Sequence, residues 1–300
     1  VLLSSSIIPT FKTYLFNPSV YTKEPQVIAD RNYQDRYNDP GEFVKRRNRY
    51  GKYVLALKGE NLFLLGDGFK EDGQFPFLDQ LNIKTNTKER LYESTIKNKK
   101  ESLRDFMLDD DELLVRIESP SDYPNYFFRS LKKNSLTQIT FFPNPFKSLQ
   151  NVYKELIKYK RQDGLDLSAT LYLPENYDRL EKDKLPMIMW AYPREFKDKS
   201  SASQTTQNPN EFTYPYWGSP IYWLTQGYAI LDDVSFPIIG VGDKEPNDEF
   251  RSQLVDNAKA AIYKIDSLGF IDKSRVAIGG HSYGAFMVAN LLSHSDLFAA

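Results

Sequence analysis

One serine in this sequence stands where a serine can be made to react. Gly280-His281-Ser282-Tyr283-Gly284 follows the apolar run Val276-Ala277-Ile278 and precedes Ala285-Phe286-Met287, a stretch suited to a helix. A serine hydroxyl is a weak nucleophile until a base takes its proton. A tight turn between a buried strand and a helix projects that hydroxyl at the end of the sheet, and glycines two residues to either side permit close approach. The helix opening at Tyr283 turns its free N–H groups and its positive dipole end toward the reacting atom. The Tyr283 N–H is therefore expected to donate to a developing oxyanion. The spacing Gly-x-Ser-x-Gly is common by itself; the strand before it and the helix after it make Ser282 a candidate nucleophile.

The matching base is harder to find. Only His281 and His294 occur. His281 adjoins the serine on the turn, so its side chain is expected to point away, and His294 lies about 18 Å further along the helix at 1.5 Å per residue. Sheets of this kind carry their triad in the order Ser, Asp/Glu, His. The acid and the histidine are accordingly expected outside residues 1–300. The opening Val1-Leu2-Leu3-Ser4-Ser5-Ser6-Ile7-Ile8 reads like the middle of a strand, so both ends are taken as cut.

The elements that must position Ser282 alternate. Glu155–Tyr159 and Leu167–Pro174 flank an Asp163-Gly164 turn, and Leu185–Pro193 is an apolar run of the kind buried on both faces, as is Tyr228–Val234. Leu254, Ala258, Ala261, Ile262, Ile265 and Leu268 recur at helical spacing, and Gly269 supplies a stop. Strand, helix, strand, elbow, helix is the grammar of a mostly parallel, doubly wound sheet, here the front part of an α/β-hydrolase fold. Upstream the grammar differs. Short strands at 53–57, 61–65, 77–83, 89–93, 112–118, 125–131 and 136–140 are divided by polar turns, which suggests antiparallel sheets of a sandwich or propeller. Residues 20–48 are rich in charge, Asn and Tyr and read as a long connection. Phe142-Pro143-Asn144-Pro145 breaks regular structure, so the domains are expected as 1–145 and 146–300.

Composition excludes some chemistry. There is no cysteine, hence no disulfide, thiol nucleophile or Cys-based zinc site. Thirty-nine basic side chains balance 40 acidic ones, so the overall charge points to neither nucleic acid nor an anionic membrane as partner. No run approaches the roughly 18 apolar residues of a membrane-spanning helix. Acyl transfer on serine calls for no metal or cofactor, and none is expected.

Taken together, the motifs resemble the prolyl oligopeptidase family of serine peptidases, and more narrowly its glutamyl endopeptidase branch. The resemblance rests on Gly279–Met287, Trp190-Ala191-Tyr192-Pro193, Pro237–Asp243 with Asn247-Asp248, Asp163-Gly164 with Ala169–Pro174, and Asp35–Gly41. It implies a β-propeller, its last blades in 1–145, ahead of an α/β-hydrolase domain, with further propeller and hydrolase segments outside residues 1–300. It implies peptide substrates, and a tyrosine hydroxyl completing the oxyanion hole, which falls on Tyr192. Glutamate preference would need a cation in the substrate pocket. Arg194, Lys197, Lys199, Lys244 and Arg251 are the candidates, Arg194 first because it lies two residues after Tyr192. A carboxylesterase built on the same elbow, and an inert propeller module with a vestigial serine, are the competing readings.

Overall fold

The computed structural model describes residues 2–7, 10–20 and 22–300, as two compact units, Val1–Pro143 and Asn144–Ala300. The first unit is antiparallel throughout its larger sheets. Lys100–Met107, Glu112–Glu118, Asn125–Ser130 and Ser135–Gln138 run as a four-stranded meander in sequence order. A second four-stranded sheet has the order Lys88–Glu93, Phe77–Asn82, Asn61–Gly66, Glu42–Phe43. These sheets alternate inward and outward residues. Phe63 and Leu78 of one meet Phe106, Leu113, Val115 and Ile117 of the other in a common core.

One expectation is corrected here. Residues 20–48 are not simply a connection: Gln26–Asn32 is a strand, paired antiparallel with Thr10–Leu15, and Lys45–Arg47 pairs with Tyr53–Leu55. The charge that disguised the first of these strands is used in the pairing, since Lys12 holds Asp30 at 2.9 Å. Val1, Ile8 and Tyr21, which the sequence reading includes in its opening run and in that stretch, lie outside the described residues.

The second unit is built on a five-stranded sheet, with strands β1 (Tyr153–Lys160), β2 (Asp166–Leu173), β3 (Leu185–Ala191), β4 (Ala229–Val234) and β5 (Ile271–Gly279) in the order β1-β2-β4-β3-β5. β1 and β2 form the antiparallel lead-in, β2 also pairs antiparallel with β4, and β3 runs parallel to both β4 and β5. The central strands β2, β3 and β4 are covered on both faces, which is why they are buried or half-buried along most of their length. Met187, Met189, Ala229 and Leu231 face the larger core, while Ile230 and Tyr172 face a smaller one with Ile221 and Leu224.

Helix α1 (Phe250–Leu268) and helix α2 (Tyr283–His294) pack on the larger core. α1 buries Leu254, Ala258, Ala261, Ile262 and Ile265 and ends at Gly269, which adopts φ +85°, a conformation glycine takes at little cost. Two buried amides on α1 do a different job. Gln253 both accepts from Ile239 N and donates to Ile239 O, each at 3.0 Å, and Asn257 donates to Pro237 O at 3.0 Å. They stitch the short strand Pro237–Ile239 to the helix. That strand runs parallel to Arg194–Phe196, just beyond β3.

Candidate active site

β3 and β5 are parallel neighbours, with Met189 beside Ile278 and Trp190 beside Gly279. Their carboxyl ends therefore reach the same edge of the sheet, the edge where open α/β sheets place their ligand sites. Tyr192 leaves the end of β3 and Ser282 leaves the end of β5. Residues ninety positions apart in the chain are brought to one rim by strand register alone.

Ser282 sits at φ 55°, ψ −116°, a sparsely populated conformation for a residue with a side chain. It is exposed, and its hydroxyl makes no hydrogen bond among the described residues. The turn holds because its backbone is used up around the serine. Gly284 N donates to His281 O at 2.8 Å, and Ala285 N and Phe286 N donate to Ser282 O at 2.9 and 3.2 Å. The N–H of Tyr283, first residue of α2, has no acceptor among the described residues and is left available.

The glycines explain how the elbow can lie so close to β3. A Cβ on Gly280 or Gly284 would stand 2.7 Å from Ala191 O, and one on Gly279 would stand 2.5 Å from the Trp190 ring. Gly284→Ala is thus expected to destabilise. Helix propensity alone would give a gain of about 1 kcal/mol, but the clash is with backbone and should cost about 1–3 kcal/mol beyond that. A fall in the thermal midpoint checks this; a rise would mean that α2 slides away from β3 at no cost.

Tyr192 is 49% exposed, so it is no core tyrosine, and its ring meets that of Tyr283 edge-on at 6.1 Å. Tyr283 is boxed in further by Phe250 at 5.6 Å and Phe286 at 6.0 Å, both stacked or nearly so. Its hydroxyl donates to Glu195 Oε1 at 2.8 Å. Desolvation, and then the neighbouring Glu195 carboxylate, raise the Tyr283 phenol well above the ordinary tyrosine range, so it remains a donor at any physiological pH.

The five candidate cations fare differently. Lys197 is paired with Glu245 at 2.6 Å, Lys199 with Asp163 at 3.4 Å, and Lys244 with Glu249. Arg251 Nη1 lies 2.9 Å from His294 Nε2. None of these four lines the cleft beside Tyr192. Arg194 does, and it has no carboxylate partner among the described residues. That cleft, of about 70 Å³, also includes Phe196, Gln207, Asp233 and Ser235. It is far below the roughly 300 Å³ of a small-molecule site and suits a single side chain. A larger cleft of about 640 Å³, lined by Tyr159, Lys160, Asp256 and Tyr263 among others, contains none of these residues.

Sequence reasoning did not find the polar residues bonded around Gln207 of the cleft lining. Ser168 Oγ donates to Gln207 Oε1 at 2.9 Å, and Gln207 Nε2 donates to Asp233 O at 3.1 Å. Nor did it find Glu195. Their spacings from the motif are irregular, and no local pattern marks them.

His294 is committed elsewhere. His294 Nδ1 lies 2.9 Å from the Asn290 carbonyl, which can only accept, so Nδ1 carries the proton. Nε2 then accepts from Arg251. The ring is committed at both nitrogens and is not placed to serve Ser282. Among the described residues, no group of three or more His, Cys, Asp or Glu side chains could hold a metal.

Against known proteins, residues 248–300, which span α1, β5 and the whole elbow, match the prolyl oligopeptidase family. A rice (Oryza sativa subsp. japonica) protein named "Probable glutamyl endopeptidase, chloroplastic" is 40% identical over 298 residues, covering 95% of this chain. Its Arabidopsis thaliana namesake is 40% identical over 304 residues, covering 96% of this chain. The chain thus matches the prolyl oligopeptidase family over its last 53 residues and is similar to these two plant proteins along nearly its whole length. It spans about a third of the length of both plant relatives, 32% in each case. Two solved structures show the fold. Oligopeptidase B from Leishmania major superposes with a TM-score of 0.55 at 10% identity, over 99% of this chain and 46% of its own. A putative dipeptidyl aminopeptidase IV from Bacteroides ovatus does so at 0.59 and 16%, over 99% of this chain and 41% of its own. The fold they share combines propeller-type antiparallel sheets with part of an α/β-hydrolase domain; the strand grammar leaves sandwich or propeller open for the first half, and the family resemblance implies the propeller.

Proposed function

We propose that the full-length protein carrying this chain is a serine peptidase that works through an acyl-enzyme on Ser282. The observation that carries this reading is the elbow itself: an exposed, unpaired hydroxyl at φ 55° beside an unused Tyr283 N–H. Ser282 Oγ attacks the peptide carbonyl carbon, and its proton passes to an imidazole base. The oxyanion is received by the Tyr283 N–H and the Tyr192 hydroxyl. The C–N bond then breaks, the amine leaves with a proton, and water releases the acyl group. The family match over residues 248–300 and the names of the plant relatives support peptide bonds as the target.

The same names favour cleavage after glutamate, and Arg194 is the residue to receive that side chain. It is the one cationic side chain lining the cleft next to Tyr192. A carboxylate entering a confined site needs such a partner.

A fluorophosphonate probe tests the nucleophile: full-length protein should label at Ser282, and unlabelled protein would sink the enzymatic reading. Paired peptide and ester substrates then separate peptidase from esterase, since turnover of short esters with no peptide cleavage would favour the latter. For the pocket, Arg194→Ala is expected to raise KM for peptides with glutamate before the scissile bond by about 10- to 100-fold, the scale of a lost charged hydrogen bond. Peptides with glutamine there should change far less. Equal losses on both would remove Arg194 from the pocket.

A further inference from the structure

The strand Arg194–Phe196 is only three residues long, yet it faces two ways. Side chains on a strand alternate. Arg194 and Phe196 line the cleft beside Tyr192, and Glu195 does not. Its carboxylate instead accepts the Tyr283 hydroxyl at 2.8 Å, spanning 88 residues of sequence.

Tyr283 is the residue whose N–H faces the developing oxyanion, so whatever fixes it fixes the donor. Three rings, those of Tyr192, Phe250 and Phe286, confine its own ring. Ring contacts limit tilt but leave sliding in the ring plane open, and a charge-assisted hydrogen bond at the tip closes that freedom. The anchor is itself rigid. Glu195 is in register with Ile238, Arg194 N donates to Phe236 O at 3.1 Å, and Gly240 N donates to Phe196 O at 2.9 Å. The neighbouring strand is stitched to α1 by Gln253 and Asn257.

We propose that Glu195 is a positioning residue of this active site. Through the Tyr283 phenol it locks the elbow's oxyanion donor to the strand that carries Arg194 and follows Tyr192. The assignment rests on the reading of Ser282 as the nucleophile. Glu195 is exposed, so its loss opens no buried cavity.

The test is steady-state kinetics and thermal unfolding of the full-length protein as wild type, Glu195→Ala, Glu195→Gln, Tyr283→Phe and the double variant Glu195→Ala/Tyr283→Phe. Ser282→Ala serves as the control for the nucleophile. Glu195→Ala should lower kcat about tenfold, the scale of one charged hydrogen bond, with KM and the thermal midpoint close to wild type. Glu195→Gln should recover most of the loss, since an amide oxygen still accepts the phenolic proton. Tyr283→Phe should lose as much as Glu195→Ala, and the double variant no more than either. Wild-type kcat in Glu195→Ala, failure of Glu195→Gln to recover, or multiplying losses in the double variant would overturn the assignment while leaving the peptidase reading intact. Turnover surviving in Ser282→Ala would overturn both.

Discussion

Replacing Ser282 with alanine is expected to cut peptide turnover by about 10⁶-fold, the scale seen when an acyl-enzyme nucleophile is removed, with no loss of thermal stability. Both halves of that expectation come from the elbow. The hydroxyl makes no hydrogen bond among the described residues, so its removal strands no donor or acceptor. The φ of 55° and ψ of −116° are imposed by the close approach of the strand and helix and by the bonds to His281 O and Ser282 O, not by the side chain. Alanine inherits the same strain. Glycine relieves it, so Ser282→Gly should be equally inactive yet more stable by about 1 kcal/mol. An inactive Ser282→Ala protein that also melts early would contradict this account, because its loss could then be ascribed to unfolding.

Removing one oxygen from Tyr192 should have the next largest effect. Tyr192→Phe keeps the ring and its edge-on contact with Tyr283, so the rim of the site stays in place. On the proposed assignment, what goes is a hydroxyl that would donate to charge existing only in the transition state. Such donors are worth about 10²–10³ in kcat and little in substrate binding. The expected signature is a kcat lower by that factor with KM nearly unchanged, and an unaltered thermal midpoint. A change confined to KM would make Tyr192 a substrate contact instead. Tyr192→Ala should fall further and lose stability as well, because the Tyr283 ring then loses one of its three neighbours.

What could be read from the sequence is what is local. The elbow is a five-residue spacing flanked by an apolar run and a helical pattern, and its glycines announce a close approach that the structure shows against Ala191 O and Trp190. β3, β4 and α1 are likewise self-declaring, since each buries its apolar residues at its own period. Readings that depended on distant chain could not be made. Gln26–Asn32 has little apolar alternation and becomes a strand through pairing with Thr10–Leu15. Lys197 looked like a pocket cation until Glu245, 48 residues away, was found on its ammonium group. Arg194 stands out by lying two residues after Tyr192, whereas nothing local marks Glu195, because the strand they share is too short for its alternation to show.

If the proposed peptidase reading holds, that three-residue strand also sets the terms on which its activity can be altered. Positions 194 and 196 look into the cleft, and position 195 looks toward the elbow. Mutant libraries meant to redirect the cleavage preference should randomise the outer two and hold the middle one fixed. Libraries that vary all three would discard good pockets attached to a loosened oxyanion donor. On the proposed roles, preference and rate are a single peptide unit apart, and selection on either would pull on the other.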